Sequence, residues 1–368
     1  MKPRVALLIP SLRGGGVFRV MTNLALGLQE HGCRVSLIVG TVEGSVDDSL
    51  LARLTIVDLG VEKMAAGMPK LTRWLHANQP DFLISAQMHV NLTAIAACAL
   101  AGTATRLIVT EHNDVDSVYR HAPTLKQRVV PWLAKVLYPR ADRIIAVSQG
   151  VADSLAAWLK RPVESIAVIY NPLVDTALLD HAQELPNHVW FQDGGLPVIL
   201  GVGRLEEQKD FATLLRAFAL LIEQVPARLM ILGEGSQRKM LETLAQDLGV
   251  SERVAMPGYV SNPYACMQRA ALFVLSSAWE GFPSVLVEAM ACGCRMVSTD
   301  CPSGPREILE NGRWGALTPV GDAGAMASAM LAALQTPPPD AVVQAAQRFS
   351  VDAAVAQYLQ VMEAMQNT

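Results

Sequence analysis

Short apolar segments alternate with amphipathic segments along the whole chain. Runs of strand length are followed by stretches whose apolar residues recur at helical spacing. In the first half the predicted strands are Arg4–Pro10, Arg34–Gly40, Leu54–Gly60, Asp81–Ser85, Arg106–His112, Arg143–Ser148 and Ser165–Asn171. In the second half they are Pro197–Gly203, Ala227–Gly233, Val254–Val260, Ala271–Ser277 and Arg295–Asp300. This alternation predicts an α/β protein with parallel sheets flanked by helices.

Two breaks in the pattern divide the chain. Residues 172–196 lack periodicity and are rich in Pro, Asn, Asp and Gly, which indicates a linker. A second break is Thr336-Pro337-Pro338-Pro339. We therefore predict an N-terminal domain over residues 1–171 and a C-terminal domain over residues 197–349. The last segment, residues 350–368, is predicted as a helix that crosses back to the N-terminal domain. The length of 368 residues also favours two domains.

Composition narrows the class of protein. The longest apolar run, Asn91–Gly102, is shorter than the roughly 20 residues that cross a bilayer. The basic and then apolar N-terminus lacks a small-residue cleavage site, so we interpret it as a buried first strand rather than a signal peptide. Six cysteines lie mostly in apolar segments, as expected for reduced thiols in a cytoplasmic protein. Cys292, Cys294 and Cys301 match no common zinc spacing, so no metal site is predicted.

The net charge of −4 is divided unequally between the halves. Residues 1–171 contain 18 Lys and Arg against 13 Asp and Glu, and residues 172–368 contain 12 against 21. In the segment Tyr119–Arg143, basic residues are interleaved with apolar and aromatic ones, which predicts a helix on an anionic membrane surface. A solvated helix packed on its own sheet is the alternative. A nucleic-acid partner is not predicted, because the pI is near 6.0 and the sequence contains no motif of a nucleic-acid-binding domain.

Each half opens with a strand followed by a glycine-containing turn. In the first turn, Gly15 and Gly16 would let the backbone approach a ligand at a helix start, where anions are favoured. The spacing is not that of the dinucleotide fingerprint, and a tight strand-to-helix turn explains these glycines equally well. In the second turn, Arg204 leaves the strand and Lys209 begins the next helix. Two cations beyond the carboxyl ends of parallel strands suit a diphosphate, although a solvated charged loop is the alternative.

The most specific tract is Glu280–Glu288, which follows a predicted buried strand. Pro283 is a helix-start signal, and the free amides of residues 284–286 would face a phosphate. Glu280 lies in the loop and Glu288 about one turn into the helix. Carboxylates beside a diphosphate need hydroxyl donors, which a sugar and a ribose would supply. Two ordinary acids at a helix start are the alternative.

The order of these features resembles the retaining glycosyltransferase family 4, whose GT-B fold has two Rossmann-like domains facing a cleft. The resemblance extends over nearly the whole chain. Tracts around Asn262-Pro263-Tyr264, Ser276–Phe282 and Asp300–Ile308 are similar to those of members that build cell-surface or lipid-linked glycans, often from UDP-hexose or UDP-N-acetylhexosamine.

The resemblance implies a role for each matching residue. Arg204 and Lys209 would bind the donor diphosphate, Glu288 the ribose and Glu280 the sugar hydroxyls, without a metal or other cofactor. The base would lie against the backbone near Gly233. The implied donor-binding set is Gly15, Gly16, Arg204, Lys209, Gly233, Tyr259, Val260, Gly281, Phe282, Ser284, Val285, Leu286 and Glu288.

A histidine at a strand end adds a second catalytic candidate beside Glu280. His112 resembles the active-site histidine that contacts the donor sugar in this family, although a structural histidine is the alternative. His89 and Asn113 are predicted to line the acceptor site. Two residues depart from the family pattern: Phe18 replaces an acid before Arg19, and Pro283 cannot donate an amide.

These observations predict a cytoplasmic enzyme, peripheral at the inner face of the cell membrane. It would transfer a hexose or N-acetylhexosamine from a nucleotide-sugar, with a UDP-sugar favoured, to a glycan or lipid-linked acceptor. The resemblance implies that the anomeric configuration is retained. A nucleotide-sugar epimerase of the same fold and a non-catalytic nucleotide-sugar-binding subunit are the alternatives.

Overall fold

A computed structural model describes residues 2–12, 15–42, 52–120, 125–192 and 194–367, without the side chains of residues 118–120 and 125–128. The chain forms two compact units. The first comprises Met1–Leu173 and Val351–Thr368, and the second comprises Val174–Ser350. Each unit is a parallel sheet flanked by helices, as the alternation of the sequence predicts.

The sheet of the first unit has the strand order β3-β2-β1-β4-β5-β6-β7 among the described residues, and every neighbouring pair is parallel. Its strands are β1 (Arg4–Ser11), β2 (Arg34–Thr41), β3 (Thr55–Asp58), β4 (Phe82–Ala86), β5 (Arg106–Glu111), β6 (Arg143–Ala146) and β7 (Ile166–Val168). The helices between β1 and β7 along the chain are α1 (Gly16–Glu30), α2 (Met64–Asn78), α3 (Met88–Ala101), α4 (Val115–Arg120), α5 (Leu125–Leu137) and α6 (Gln149–Leu159). The central strands are buried on both faces, which explains why they form continuous apolar runs in the sequence.

The sheet of the second unit has the order β10-β9-β8-β11-β12-β13, again parallel among the described residues. Its strands are β8 (Val198–Val202), β9 (Arg228–Leu232), β10 (Val254–Gly258), β11 (Leu272–Leu275), β12 (Met296–Thr299) and β13 (Ala316–Thr318). Its helices are α7 (Thr176–Gln183), α8 (Phe211–Ile222), α9 (Arg238–Asp247), α10 (Pro263–Arg269), α11 (Ser284–Ala291), α12 (Pro305–Ile308), α13 (Ala323–Gln335) and α14 (Val342–Ala346).

The strand order reverses once in each sheet. The chain moves outward from β1 through β2 to β3 and then returns to β4 on the other side of β1. In the second unit it moves from β8 through β9 to β10 and returns to β11. Loops that leave the carboxyl ends of the two strands at such a point diverge, and the crevice between them is where open α/β sheets bind ligands.

The final helix, α15 (Val351–Gln366), packs against α1 of the first unit. The contact is close at Gly27, where an added Cβ would lie 2.6 Å from Val351 Cγ1 and 2.7 Å from Val355 Cγ2. Gly27 therefore allows the two helices to approach, and a larger residue there would push them apart.

The predicted linker, residues 172–196, is instead mostly part of the second unit, which begins at Val174. It contains α7, whose first turn is capped by the carboxylate of Asp175 accepting from the Leu178 amide at 2.7 Å. Arg269 of α10 donates to the carbonyl oxygen of Ala182 at the end of α7. The helix is short and buries few side chains, so its apolar pattern is too weak to identify from sequence.

Candidate active site

The predicted diphosphate cation and the predicted sugar carboxylate form an ion pair in the second unit. Lys209 ends the 3-10 turn Glu207–Lys209 after β8, and Glu280 follows β11. The Lys209 Nζ atom lies 2.5 Å from Glu280 Oε1, and the side chains are only 14% and 7% exposed. These loops leave the two strands where the order of the sheet reverses. The pair therefore lies at the crevice in which such sheets bind ligands.

Glu280 is held by several further hydrogen bonds. The hydroxyl of Ser277 donates to the same Oε1 atom at 2.7 Å, and the Glu280 amide donates to the carbonyl oxygen of Pro302 at 2.6 Å. The Ser303 amide donates to the Glu280 carbonyl at 2.9 Å. Within the described ranges no donor reaches Oε2 of this carboxylate. One carboxylate oxygen thus fixes the side chain, and the other can accept a hydrogen bond from a ligand hydroxyl.

The loop that carries Lys209 is joined to the loop that carries Glu280. The hydroxyl of Ser276 donates to the Lys209 carbonyl at 2.7 Å, and the Ala278 amide donates to the Gln208 carbonyl at 2.8 Å. The side-chain amide of Gln208 donates to the Trp279 carbonyl at 3.0 Å. Both charged side chains are therefore anchored through the backbone as well as through each other.

Arg204 lies at the exposed start of the same loop. Glu206 fixes this loop, because its carboxylate accepts from the Ser236 amide at 2.9 Å and from the Ser236 hydroxyl at 2.7 Å. These hydrogen bonds hold the pKa of Glu206 below its ordinary value. The sequence shows Glu206 only as one of several charged residues in this loop. Its contact with Ser236 was not predicted, because the two residues are 30 positions apart.

The helix start behind Glu280 differs in one detail from the prediction. Helix α11 begins at Ser284 after Pro283, as predicted, but the Leu286 amide donates to the Pro283 carbonyl at 3.0 Å. The prediction of a free amide at Leu286 is therefore wrong, because the first turn closes on itself. The amides of Ser284 and Val285 have no acceptor within the part of the chain that the structure describes. They remain candidates to donate to an anion.

Glu288 is 5% exposed within α11, so both predicted carboxylates are buried at this edge of the sheet. Between them, Gly281 and Phe282 are also buried. The Gly281 carbonyl accepts from the Ser303 hydroxyl at 2.9 Å, and the ring of Phe282 packs edge-on against Phe349 with centroids 5.5 Å apart. These two residues shape the loop through packing and backbone contacts.

The predicted base-binding residues follow β9 and β10, the two strands on one side of β8. Gly233 comes after β9 with φ of 136°, and a Cβ there would collide with the carbonyl oxygen of Gly203. Only glycine permits this close backbone approach. The Gly233 amide donates to the Gly258 carbonyl at 2.8 Å. Tyr259 follows β10 with 77% of its surface exposed, and Val260 is half-buried.

In the first unit, His112 directly follows β5 and is 8% exposed. The hydroxyl of Thr110 donates to the Ser85 carbonyl at 2.9 Å, so its oxygen accepts from His112 Nε2, also at 2.9 Å. This arrangement assigns the proton to Nε2 and leaves a lone pair on Nδ1. Burial lowers the pKa of His112 to about 4, so the ring is neutral near pH 7. Its Nδ1 atom can accept a hydrogen bond from a ligand.

Glu111, the last residue of β5, is a buried acid that was not predicted as a site residue. Its Oε2 atom accepts from the Tyr138 hydroxyl at 2.7 Å, and its Oε1 atom accepts from the His112 amide at 3.2 Å. Burial raises the pKa of Glu111 to about 7 against the opposing effect of these hydrogen bonds. An acid in a predicted buried strand, next to a candidate active-site histidine, was the signal that could have identified it.

The remaining predicted residues of the first unit lie beside other strand ends. Gly15 precedes α1 with φ of 144°, and both Gly15 and Gly16 are exposed. His89, in the first turn of α3 after β4, is exposed, as is Asn113 after β5. All four lie at the carboxyl edge of the sheet, and those after β1 and β4 flank the point where its order reverses. The Arg19 guanidinium donates to the Leu173 carbonyl at 3.2 Å.

Within the predicted membrane segment, Tyr119–Arg143, the structure describes side chains only from Val129 onward. Those of Tyr119, Arg120, Lys126 and Arg128 lie outside the described residues. Apolar side chains at helical spacing on one face of α5 are exposed, by 37–63%. They are Val129, Trp132, Leu133 and Val136. The opposite face buries Ala134, and no helix in the described ranges is long and apolar enough to cross a bilayer.

Comparison with known families agrees with this geometry. Residues 14–177 match the family model described as glycosyltransferase family 4, and residues 187–349 match the one described as glycosyl transferases group 1. The first match covers most of the first unit and the second match covers most of the second unit. The chain is a glycosyltransferase and belongs to glycosyltransferase family 4, so the predicted family is confirmed.

Individual relatives are named as glycosyltransferases of lipid-linked saccharides or of lipopolysaccharide. Over 88% of each chain, the protein is 29% identical to the N-acetylgalactosamine-N,N'-diacetylbacillosaminyl-diphospho-undecaprenol 4-alpha-N-acetylgalactosaminyltransferase of Campylobacter jejuni. It is 27% identical to the lipopolysaccharide 1,6-galactosyltransferase of Salmonella typhimurium over 71% of this chain and 67% of that one. The crystal structure of Anabaena HepE with UDP and glucose superimposes with a TM-score of 0.81 at 21% identity, covering 98% of this chain and 100% of that chain. The predicted fold class is thus confirmed.

Proposed function

We propose that this glycosyltransferase moves a hexose or N-acetylhexosamine from a UDP-sugar to a lipid-linked or lipopolysaccharide glycan, with retention of the anomeric configuration. The observation that carries the proposal is the buried Lys209–Glu280 ion pair where the second sheet reverses its strand order. The UDP and glucose bound in the HepE crystal structure support the donor class. The acceptor class is supported by the names of the relatives from Campylobacter and Salmonella.

In this proposal the second unit holds the donor without a metal. Arg204, exposed at the strand end, and Lys209 neutralise the diphosphate, and the amides of Ser284 and Val285 add donors at a helix start. The buried carboxylate of Glu288 accepts from the ribose hydroxyls. The free Oε2 of Glu280 accepts from a sugar hydroxyl while Oε1 keeps its contact with Lys209. Glu280 thus contacts both Lys209, which binds the diphosphate, and the donor sugar.

His112 serves the sugar in this proposal as a neutral hydrogen-bond acceptor. Its Nε2 proton is committed to Thr110, so Nδ1 is the atom that faces a sugar hydroxyl. The acceptor would be held by the exposed His89 and Asn113 of the first unit.

We further propose that the exposed apolar face of α5 rests on an anionic membrane surface. An apolar helix face bordered by basic residues is the pattern of helices that lie in the interfacial region. Lys135 lies on this helix, and Arg140 follows its end. Such a contact would keep the enzyme at the inner face of the membrane, where a lipid-linked acceptor is available.

Incubation with a panel of UDP- and GDP-sugars, with and without a diphospho-undecaprenol-linked saccharide, tests the proposal. We expect slow UDP-sugar hydrolysis alone and transfer when the acceptor is present, with the new linkage having the donor configuration by NMR. An inverted linkage would exclude the retaining mechanism. Isomerisation of the sugar while it stays on UDP would favour an epimerase. Binding without turnover of any donor or acceptor would favour a non-catalytic subunit.

A further inference from the structure

Glu111 lies at the centre of a buried hydrogen-bond network behind His112. Glu111 is 1% exposed, and no Lys or Arg pairs with it among the side chains that the structure describes. It accepts from the Tyr138 hydroxyl at 2.7 Å and from the His112 amide at 3.2 Å. A buried acid without a cation is costly unless its hydrogen bonds are strong. The fold therefore contains an energetically unfavourable buried acid, Glu111, directly beside His112.

The direction of each hydrogen bond in the network is determined. The side chain of Asn91 donates to the Thr110 carbonyl at 2.9 Å and to the Tyr138 hydroxyl oxygen at 2.9 Å, and its Oδ1 atom accepts from the Ser85 hydroxyl at 2.7 Å. Because the Tyr138 oxygen accepts from Asn91, its proton is directed to Glu111. The network joins β4, α3, β5 and the turn Tyr138–Arg140 at the carboxyl end of β5.

We propose that Glu111 is a positioning residue for His112, an inference that rests on the proposed role of His112 toward the donor sugar. The carboxyl group holds the backbone amide of His112 at the point where the strand ends. That restraint keeps the ring where Nε2 meets Thr110 and Nδ1 remains open. Tyr138 and Asn91 support Glu111 from the other side. The acid acts through the histidine and does not itself touch substrate.

Glu111→Gln keeps the side-chain shape and removes the charge. We expect kcat for transfer to fall by roughly 10- to 100-fold, while free UDP binds as before. Gln has only one acceptor oxygen, and it is neutral, so it cannot accept from both Tyr138 and the His112 amide as the carboxylate does. In a His112→Ala background, Glu111→Gln should cause little further loss, because two residues that act as one unit are not additive. Equal losses in both backgrounds, or a matching loss of UDP affinity, would overturn the proposal.

Nitrogen chemical shifts of a ¹⁵N-labelled histidine ring separate this proposal from the proposed function. We expect the His112 ring to be the Nε2-protonated tautomer in the wild type and to sample both tautomers in Glu111→Gln. If His112→Ala retains full activity while Glu111→Gln still changes the tautomer, the role of His112 fails and the positioning stands. If His112→Ala abolishes transfer while Glu111→Gln changes neither the tautomer nor kcat, the positioning fails.

Tyr138→Phe is the second variant, because it fills the same space and removes one hydrogen bond to Glu111. It should lower kcat in the same direction as Glu111→Gln but by less. The matched control is Tyr358→Phe, a buried tyrosine of α15 in the core of the first unit. We expect kcat to be unchanged in this control. Equal losses in the two Tyr→Phe variants would show a general packing effect and overturn the proposal.

Discussion

The ammonium nitrogen of Lys209 lies 2.5 Å from the Oε1 atom of Glu280, and both side chains are largely buried. The sequence predicts different tasks for the two residues, the diphosphate for Lys209 and the sugar for Glu280. Because the two residues form an ion pair, a substitution at either one changes the electrostatic potential at the other. Single variants therefore report on the pair, and a double-mutant cycle is needed to separate the contributions.

Lys209→Met should lower the free energy of unfolding by about 3 kcal/mol, because it leaves the buried carboxylate of Glu280 without its cation. The double variant Lys209→Met/Glu280→Gln should recover most of this loss, since no isolated charge remains. Denaturant unfolding of the wild type, both single variants and the double variant gives the coupling energy. Lys239→Met, at an exposed lysine of the same unit, is the control and should change little. Simple additivity of the two single variants would show that the pair contributes no coupling.

The two carboxylates should differ in their effect on the free nucleotide. Glu288→Gln should weaken UDP by roughly 10- to 150-fold, because a charge-assisted hydrogen bond to the ribose is lost at about 1.5–3 kcal/mol. Glu280→Gln should not weaken UDP, because it leaves the charge of Lys209 uncompensated for the diphosphate, but it should weaken the intact donor or slow its transfer. Calorimetry with UDP and with the UDP-sugar on both variants measures the difference. A loss of UDP affinity in Glu280→Gln as large as in Glu288→Gln would contradict the assignment.

Much of the fold could be predicted from the sequence, because buried parallel strands and long amphipathic helices carry strong periodic signals. The helix start predicted at Pro283 coincides with the start of α11, and the helix predicted over residues 350–368 contains α15. Strand β13 was missed, since three residues carry almost no periodic signal. Helix α7 was missed for a similar reason and was interpreted as linker. Short elements owe their stability to the tertiary contacts around them, and those contacts are not visible in a local pattern.

The site could be predicted residue by residue but not contact by contact. Lys209 and Glu280 are 71 positions apart, and nothing local in the sequence shows that their side chains meet. Glu111 and Tyr138 are 27 positions apart, and each alone has the pattern of an ordinary residue of its element. Motif spacing identifies residue types at strand ends, whereas the ion pair and the buried network depend on how the strands are ordered in the sheet.

Glu111 and His112 should have opposite effects on the pH dependence of stability. Burial raises the pKa of Glu111 from 4.5 to about 7, so the folded state holds an extra proton and loses stability as pH rises through this range. Burial lowers the pKa of His112 from 6.5 to about 4, so the folded state lacks a proton and loses stability as pH falls through that range. The two contributions largely cancel between about pH 4.5 and 6.5.

Glu111→Gln removes the contribution of Glu111 to the pH dependence of stability and leaves that of His112 unopposed. Relative to the wild type, its stability should fall as pH is lowered from 6.5 to 4.5, by up to about 1.4 kcal/mol per pH unit. His112→Gln should show the opposite trend and gain stability relative to the wild type as pH falls, because it lacks the group that must stay neutral. Denaturant unfolding of both variants and the wild type across this range measures the slopes. Parallel curves for all three proteins would contradict the opposed titrations.

The exposed face of α5 should bind anionic vesicles through both its apolar and its basic side chains. Trp132→Ser/Val136→Ser should weaken this binding by about tenfold or more, because burial of apolar surface contributes roughly 25 cal/mol per Å². Charge reversal of Lys126, Arg128 and Lys135 to Glu should also weaken binding, and added salt should have a similar effect, since exposed charges are screened over about 8–10 Å near physiological ionic strength. Vesicle sedimentation measures both effects.

The control for this surface comes from the second unit. Leu185→Ser/Val189→Ser removes two apolar side chains that are 78% and 60% exposed, without touching α5. If the membrane contact is specific to α5, this control binds vesicles like the wild type, and the α5 variants still hydrolyse the soluble donor at the normal rate. Equal loss in both serine pairs would indicate non-specific adhesion. Unchanged binding in the α5 variants would place the docking surface elsewhere.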